Sequence, residues 1–227
     1  MGARQGSSAP RTLVVGDVHG CLDELLTLVQ QTRRDPEDRI VLVGDLVAKG
    51  PDSAGVVAWA RESGVEAVLG NHDAHVLKAV HGDPHVRAPH RAVAESLARE
   101  DVDWLAARPL WLRLGEIAGR QHLVVHGGFV PGVPLDDQER EVVLNLRSIT
   151  GDGRPSKKLE GTPWGALWPG PEQVVYGHDA VRGLQRHPLA TGLDTGCVYG
   201  KTLTALILPE GQLVSVPAAR AYAPFSK

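Results

Sequence analysis

Five short stretches set a metal-type side chain beside glycine, each directly after an apolar run. They are "GDVHG" (Gly16–Gly20), "GDLVAKGP" (Gly44–Pro51), "GNHD" (Gly70–Asp73), "HGG" (His126–Gly128) and "YGH" (Tyr176–His178). One such loop is an ordinary turn with a capping acid. Five of them, at the carboxyl ends of strands in an open α/β sheet, would gather their side chains on one edge. Those side chains are Asp17, His19, Asp45, Asn71, His126 and His178: two carboxylates, one amide oxygen and three imidazoles. Mixed oxygen and imidazole donors suit a borderline or moderately hard divalent ion such as Mn²⁺, Fe²⁺ or Zn²⁺.

Six donors exceed the needs of a four-coordinate zinc site, so the set points to two ions sharing a carboxylate. Two ions about 3.5–4 Å apart can clamp the attacking and leaving oxygens of a phosphoryl transfer. Two dications set against Asp17 and Asp45 leave positive charge over for a phosphate and a hydroxide. Water held between two cations ionises near neutral pH.

Positioning these loops requires alternating strands and helices. "TLVVG" (Thr12–Gly16) reads as a buried strand, and Leu22, Leu25, Leu26 and Val29 after it fall on one helical face. "RIVLVG" (Arg39–Gly44) predicts a second strand, Asp52–Ser63 a helix stopped by Gly64, and "VEAVLG" (Val65–Gly70) a third strand. Such alternation argues for βαβ units and a parallel sheet. Asp73–Arg108 reads as two or three helices, and "HLVVHGG" (His122–Gly128) as another strand. Asp136–Arg147 reads as a helix, and Ser148–Glu172 as a Gly-, Pro- and Trp-rich loop or lid. From Val174 the chain is β-rich, and "PEG" (Pro209–Gly211) marks a closing hairpin.

Composition narrows the classes. A chain of 227 residues, 42% hydrophobic and 22% charged, can bury a core without disulfides. Cys21 and Cys197 lack metal-type spacing and read as reduced thiols of a cytoplasmic protein. No run approaches the roughly 18 apolar residues of a membrane span. "MGARQGSSAP" has no apolar stretch of the signal-peptide kind, so residues 1–11 read as a disordered lead-in. A net charge of −3 argues against general nucleic-acid or membrane binding, and 4% aromatics against a base-stacking platform.

In order and spacing, "GDVHG…GDLVAKGPDS…GNHD…HGG…GH" resembles the phosphoprotein phosphatase branch of the calcineurin-like metallophosphatases. Within it, "GDLVAKGPDS" and "GLDTGCVYGKTLTAL" (Gly192–Leu206) are most similar to symmetrical diadenosine tetraphosphate hydrolases and ApaH-like phosphatases. The resemblance implies an α/β fold, a four-layer α-β-β-α sandwich with two central mixed sheets. It implies a single domain over 12–227, with 73–110 as a helical insert or cap and 148–172 as a candidate lid. It implies two divalent ions, Mn²⁺ first and Fe, Zn or Co as the alternatives. Asp17, His19 and Asp45 would hold one ion; Asp45, Asn71, His126 and His178 the other. His72 would be the general acid, with Lys49 at the position of a phosphate-binding Arg. The implied reaction is symmetrical cleavage of diadenosine tetraphosphate to two ADP, a small nucleotide being the partner. The alternative is a Ser/Thr/Tyr protein phosphatase acting on phosphoproteins.

Three departures from the pattern carry expectations. Protein phosphatases have an Asp where this chain has Ala48, and that Asp orients the catalytic His. His72 is therefore expected to be a weaker acid, unless Asp73 or another residue compensates. Lys49 keeps the charge of Arg without its bidentate fork. The chain is shorter than symmetrical hydrolases, so elements for the second nucleoside are expected to be reduced. Arg147, in "NLRSI", reads as a second phosphate clamp. Trp164 and Trp168 read as packing beneath the lid, Cys21 as an inert buried thiol, and Lys157 and Lys158 as solvated. His75, His81, His85, His90, His122 and His187 match no motif and read as surface or helix residues.

Overall fold

The computed structural model describes residues 10–33 and 35–225. Most of the expected lead-in lies outside the described residues, but Arg11 already belongs to the fold. It is buried, and its guanidinium donates to Asp38 Oδ2 at 2.7 Å.

The first third runs β1 (Thr12–Val15), α1 (Leu22–Thr32), β2 (Arg39–Leu42), α2 (Ser53–Glu62) and β3 (Glu66–Ala67). Helices α3 (Asn71–Val80), α4 (Ala88–Ser96) and α5 (Arg99–Ala106) follow. Next come β4 (Trp111–Ile117), β5 (Arg120–Val125) and α6 (Arg140–Asn145). The 148–172 segment carries three short strands, β6 (Ser148–Ile149), β7 (Pro155–Ser156) and β8 (Thr162–Pro163), then a 3₁₀ turn at Trp164–Leu167. The chain ends with β9 (Gln173–Tyr176), β10 (Gln185–Arg186), β11 (Ala190–Gly192), β12 (Thr202–Leu208) and β13 (Gln212–Pro217).

Two five-stranded mixed sheets form the centre, in the orders β13-β12-β1-β2-β3 and β10-β11-β9-β5-β4. In the first, β1, β2 and β3 are parallel, as the strand–helix alternation predicts, and β12 closes on β1 antiparallel. In the second, β5, β9 and β11 are parallel, with β4 hairpinned onto β5. The β12–β13 hairpin also forms as read.

Alternation along the strands distributes the core. Val14, Val41, Val43 and Leu206 face Val124, Val175 and Leu193 between the sheets. Their neighbours Leu13, Val15 and Leu42 turn outward to pack on Leu25 and Leu28 of α1 and Val56 and Val57 of α2. Behind the second sheet, Leu123, Val125 and Tyr176 pack on Phe129, Val143 and Trp164. The layers are therefore helix, sheet, sheet, helix, which is the expected sandwich. No helix among the described residues is long and apolar enough to cross a membrane.

Trp164 is buried in this outer layer and donates Nε1–H to the Gly127 carbonyl at 2.9 Å, so it packs rather than projects. Cys21 and Cys197 are free thiols in the core.

Candidate metal centre

The five loops leave the carboxyl ends of β1, β2 and β3 in one sheet and of β5 and β9 in the other. Both sheets therefore aim their parallel strands at one place. Backbone bonds tie the loops together: His19 N–H donates to the Asp45 carbonyl at 2.7 Å, and Gly177 N–H to the His126 carbonyl at 2.9 Å. The sandwich is bridged as well, for example where His178 N–H donates to the Asp17 carboxylate at 3.1 Å from each oxygen. Gly70 makes the close approach of loops sterically feasible, since a Cβ there would overlap the backbone nitrogen and Oδ1 of Asp45.

The backbone here is held in a costly conformation. His19, Asp45, Ala48, Lys49 and His178 all have positive φ, between 48° and 71°. Among the described residues only one other non-glycine residue does, Ala118 at a hairpin turn. Left-handed conformations at non-glycine residues gather at functional sites.

Asp45 is the hub. Its Oδ2 lies 3.4 Å from His19 Nε2 and its Oδ1 lies 3.3 Å from His126 Nε2. Candidate ligand atoms of His19, Asp45 and His72 lie within 4.8 Å of one another, as do those of Asp45, His126 and His178. Asn71 Oδ1 is 2.9 Å from both His126 Nε2 and His178 Nδ1. Asp17 stands beside these groups, its oxygens engaged by the His178 amide. Lys49 Nζ approaches His19 Nε2 at 3.0 Å. Arg147 reaches the same cleft, donating to the carbonyls of Lys157 at 2.9 Å and His178 at 3.1 Å.

The donor set fits a divalent cation on the evidence of its back-bonds. His19 Nδ1 meets the Val47 carbonyl at 3.1 Å, His126 Nδ1 the Val43 carbonyl at 2.9 Å, and His178 Nε2 the Asn145 carbonyl at 3.1 Å. A carbonyl can only accept, so a proton on each outer nitrogen satisfies it and leaves a lone pair inward. At His126 and His178 that lone pair would face Asn71 Oδ1, a clash that a cation between them would relieve. Three such lone pairs around a buried carboxylate are donors of the kind a divalent cation takes.

Charge leads the same way. Burial raises Asp17 well above the ordinary carboxylate range, helped by neighbouring Asp194 and Asp45, and raises Asp45 to about 6. Burial also lowers His19 and His178 well below the ordinary imidazole range and His126 to about 4. The imidazoles are thus neutral, as ligands must be, and Lys49 and Arg147 only partly offset the burial of the carboxylates.

Some participants escape the sequence motifs. Asp194, in "GLDTG", is buried beside the cleft and raised to about 6 by its burial. Its pattern, an acid between glycines after a strand, matches that of Asp17. Tyr199 and Phe225 line the cleft mouth, their rings 4.9 Å apart. His90, read as a helix residue without a role, is buried against His72, with Nε2 2.9 Å from His72 Nδ1. Asp73 does not compensate for Ala48: its carboxylate accepts from the backbone N–H groups of Leu46, Val47 and Gly70.

Two layers of sheet with a histidine–carboxylate cluster at their shared carboxyl edge define a metal-dependent phosphoesterase. The calcineurin-like phosphoesterase family model matches residues 10–205, and the chain belongs to that family, whose members use divalent metal ions.

The chain is 32% identical to the asymmetrical bis(5'-nucleosyl)-tetraphosphatase PrpE of Bacillus velezensis, over 92% of this chain and 93% of that one. It is 29% identical to the symmetrical bis(5'-nucleosyl)-tetraphosphatase of Methylobacillus flagellatus, over 91% and 95%. That second alignment runs over 272 positions, more than the 227 residues here, so the symmetrical relative carries segments without a counterpart in this chain. Among solved structures, one described as "a putative diadenosine tetraphosphatase" superposes with a TM-score of 0.84 at 38% identity, over 94% of this chain and 96% of that one. A cold-active protein-tyrosine phosphatase from Shewanella, at 17% identity and a TM-score of 0.53, shares the fold.

Proposed function

We propose that this chain hydrolyses nucleoside polyphosphates with two divalent ions, cutting diadenosine tetraphosphate symmetrically into two ADP. The observation that carries the reading is the set of three imidazoles around Asp45, each with its outer nitrogen against a backbone carbonyl, and Lys49 and Arg147 beside them. Asp17, His19 and Asp45 would hold one ion and Asp45, Asn71, His126 and His178 the other, with Mn²⁺ the expected metal. Bound there, the ions would ionise a water and neutralise phosphate charge.

The remaining steps belong to the chain's own side chains. Lys49 and Arg147 bind phosphate oxygens, Lys49 as a point charge and Arg147 through the part of its guanidinium not held by carbonyls. His72, at the first turn of α3, donates to the leaving oxygen. A leaving nucleoside diphosphate needs little help, since a terminal phosphate has a second pKa of about 6. The choice of the symmetrical bond rests on the "GDLVAKGPDS" and "GLDTGCVYGKTLTAL" stretches, because the relatives' names divide between the two modes. A cytoplasmic enzyme acting on a small nucleotide is the setting this proposes, with a phosphoprotein substrate as the alternative.

Chromatography of products from Mn²⁺-loaded protein and diadenosine tetraphosphate tests the reading. Two ADP support it; ATP with AMP overturns the bond choice. Faster turnover of phosphoserine or phosphotyrosine peptides overturns the substrate class.

A further inference from the structure

Helix α4 has one buried side chain, and it is not apolar. His90 is 4% exposed, whereas the other residues of Ala88–Ser96 are exposed or half-buried. Val93 and Ala94 of this helix lie half-buried against the core, so the one side chain it sinks fully is the polar His90. The ring goes to His72, with centroids 5.0 Å apart and His90 Nε2 2.9 Å from His72 Nδ1. The other nitrogen, His90 Nδ1, is buried with no hydrogen-bond partner among the described residues.

These contacts restrict where protons can sit. Were His72 to donate from Nδ1, His90 would have to carry its own proton on Nδ1, leaving an N–H buried and unpaired. The same orphan arises if His90 is cationic. A buried N–H without a partner costs about 1–3 kcal/mol, and orphaned donors are rarer than under-used acceptors. One arrangement leaves over only a lone pair on His90 Nδ1, an under-used acceptor instead of an orphaned donor. His90 donates Nε2–H to His72 Nδ1, and His72 carries its single proton on Nε2, the nitrogen left for the cleft that this residue lines.

We propose that His90 is a positioning residue that fixes His72 as an Nε2–H donor to the leaving oxygen, suiting the site to phosphate rather than alkoxide leaving groups. The inference rests on the placement of His72 at the leaving oxygen under the proposed function. In the step, the P–O bond to the leaving group breaks and its electron pair stays on that oxygen. A new P–O bond forms to the oxygen of the attacking hydroxide. His72 shares its proton in a hydrogen bond without losing it, so no base is left behind. A phosphate oxygen departs as a stable anion under this help. A serine alkoxide needs a full proton, which this pair is not arranged to release.

The test uses His90→Leu, which removes the donor, His90→Gln, which can restore an N–H, and His72→Asn. Imidazole ¹⁵N–¹H spectra of the metal-free wild type should show His72 protonated on Nε2, and in His90→Leu a mixture of both tautomers. With Mn²⁺ bound, His90→Leu should lose about tenfold in kcat at unchanged KM and metal content. The loss should grow with leaving-group pKa across a series of aryl phosphates, and His90→Gln should recover most of it. Wild-type His72 protonated on Nδ1 overturns the inference, whether or not the leucine variant folds. So does a His90→Leu kcat equal to wild type while His72→Asn is impaired. If His72→Asn itself matches wild type across the series, the placement of His72 at the leaving oxygen fails instead.

Discussion

The backbone N–H of His72 donates to Asp45 Oδ1 at 2.8 Å, which fastens the first turn of α3 to the carboxylate at the centre of the site. Asp45 thus holds the proposed donor in place as well as facing two inward imidazoles. Asp45→Asn keeps an acceptor for the His72 amide but loses the charge that two cations would share. Turnover should fall about 100-fold or more, and bound metal should drop below two equivalents. Elemental analysis beside steady-state kinetics checks both, and near-normal turnover with two ions bound would refute the shared-carboxylate assignment.

Metal should stabilise the protein more at pH 8 than at pH 5. Burial raises Asp45 from 3.8 to about 6. Its protonated form therefore supports the metal-free fold below about pH 4, a contribution lost as pH rises through 6. Asp194, raised to about 6 chiefly by burial, behaves alike. His126, lowered from 6.5 to about 4 chiefly by burial, runs the other way: its contribution is present above 6.5 and lost as pH falls to 4. A cation needs ionised carboxylates and neutral imidazoles, so below about pH 6 it must displace the Asp45 proton, and it displaces fewer protons as pH rises. The rise in Tm on adding Mn²⁺, followed by calorimetry from pH 5 to 8, should increase with pH. Metal-free Asp45→Asn should melt above metal-free wild type at pH 8, and this gap should close toward pH 4.

Lys49 donates toward His19 and stands 5.4 Å from the centre of the Tyr199 ring, so it is held at the cleft from two sides. Lys49→Ala should lower kcat/KM on diadenosine tetraphosphate about 10- to 100-fold through lost phosphate and transition-state binding. Lys49→Arg should equal or exceed wild type, because a planar fork matches phosphate oxygens. Equal kcat/KM in wild type and the alanine variant would remove Lys49 from the site.

Gly177 follows β9, where an added Cβ would overlap Asp17 Oδ1 and press on Val43. Gly177→Ala should cost about 1–3 kcal/mol of stability and release metal, since overpacking displaces a carboxylate here. Gly151, with ordinary φ and open space around its Cα, serves as the control, and Gly151→Ala should leave both unchanged. Urea melts and elemental analysis of the two variants make the comparison.

Much of this architecture is legible in residue order because parallel strands announce themselves as unbroken apolar runs, and loops after them must carry the chemistry. The strand β4 is different. "WLRLGEI" is half-buried, and a register shift between Arg113 and Gly115 breaks its alternation, so it passes as irregular chain. β3 shrinks to Glu66–Ala67 because Leu69 turns away to bond the Pro109 carbonyl. His90 is invisible for another reason. Its meaning comes from how α4 docks on α3, and no spacing within "RAPHRAV" records that packing. Asp194 could have been found, since "GLDTG" repeats the acid-and-glycine signature of the other loops.

Asp17 and His178, bonded across the two sheets, are 161 residues apart in the chain. β1 finds its antiparallel neighbour only in β12, where Thr12 pairs with Leu208. During synthesis the first half of the site therefore leaves the ribosome long before the second exists. At about 5–20 residues per second the interval is on the order of 10–40 seconds, and pairings of such long range then form slowly. A nascent chain cut short of β12 would leave β1 as a bare sheet edge, exposed to chaperones or to aggregation. A metal site that needs Asp17 and His178 together would therefore be completed late, and the ion it took would be one that the surrounding pool offers to a finished fold.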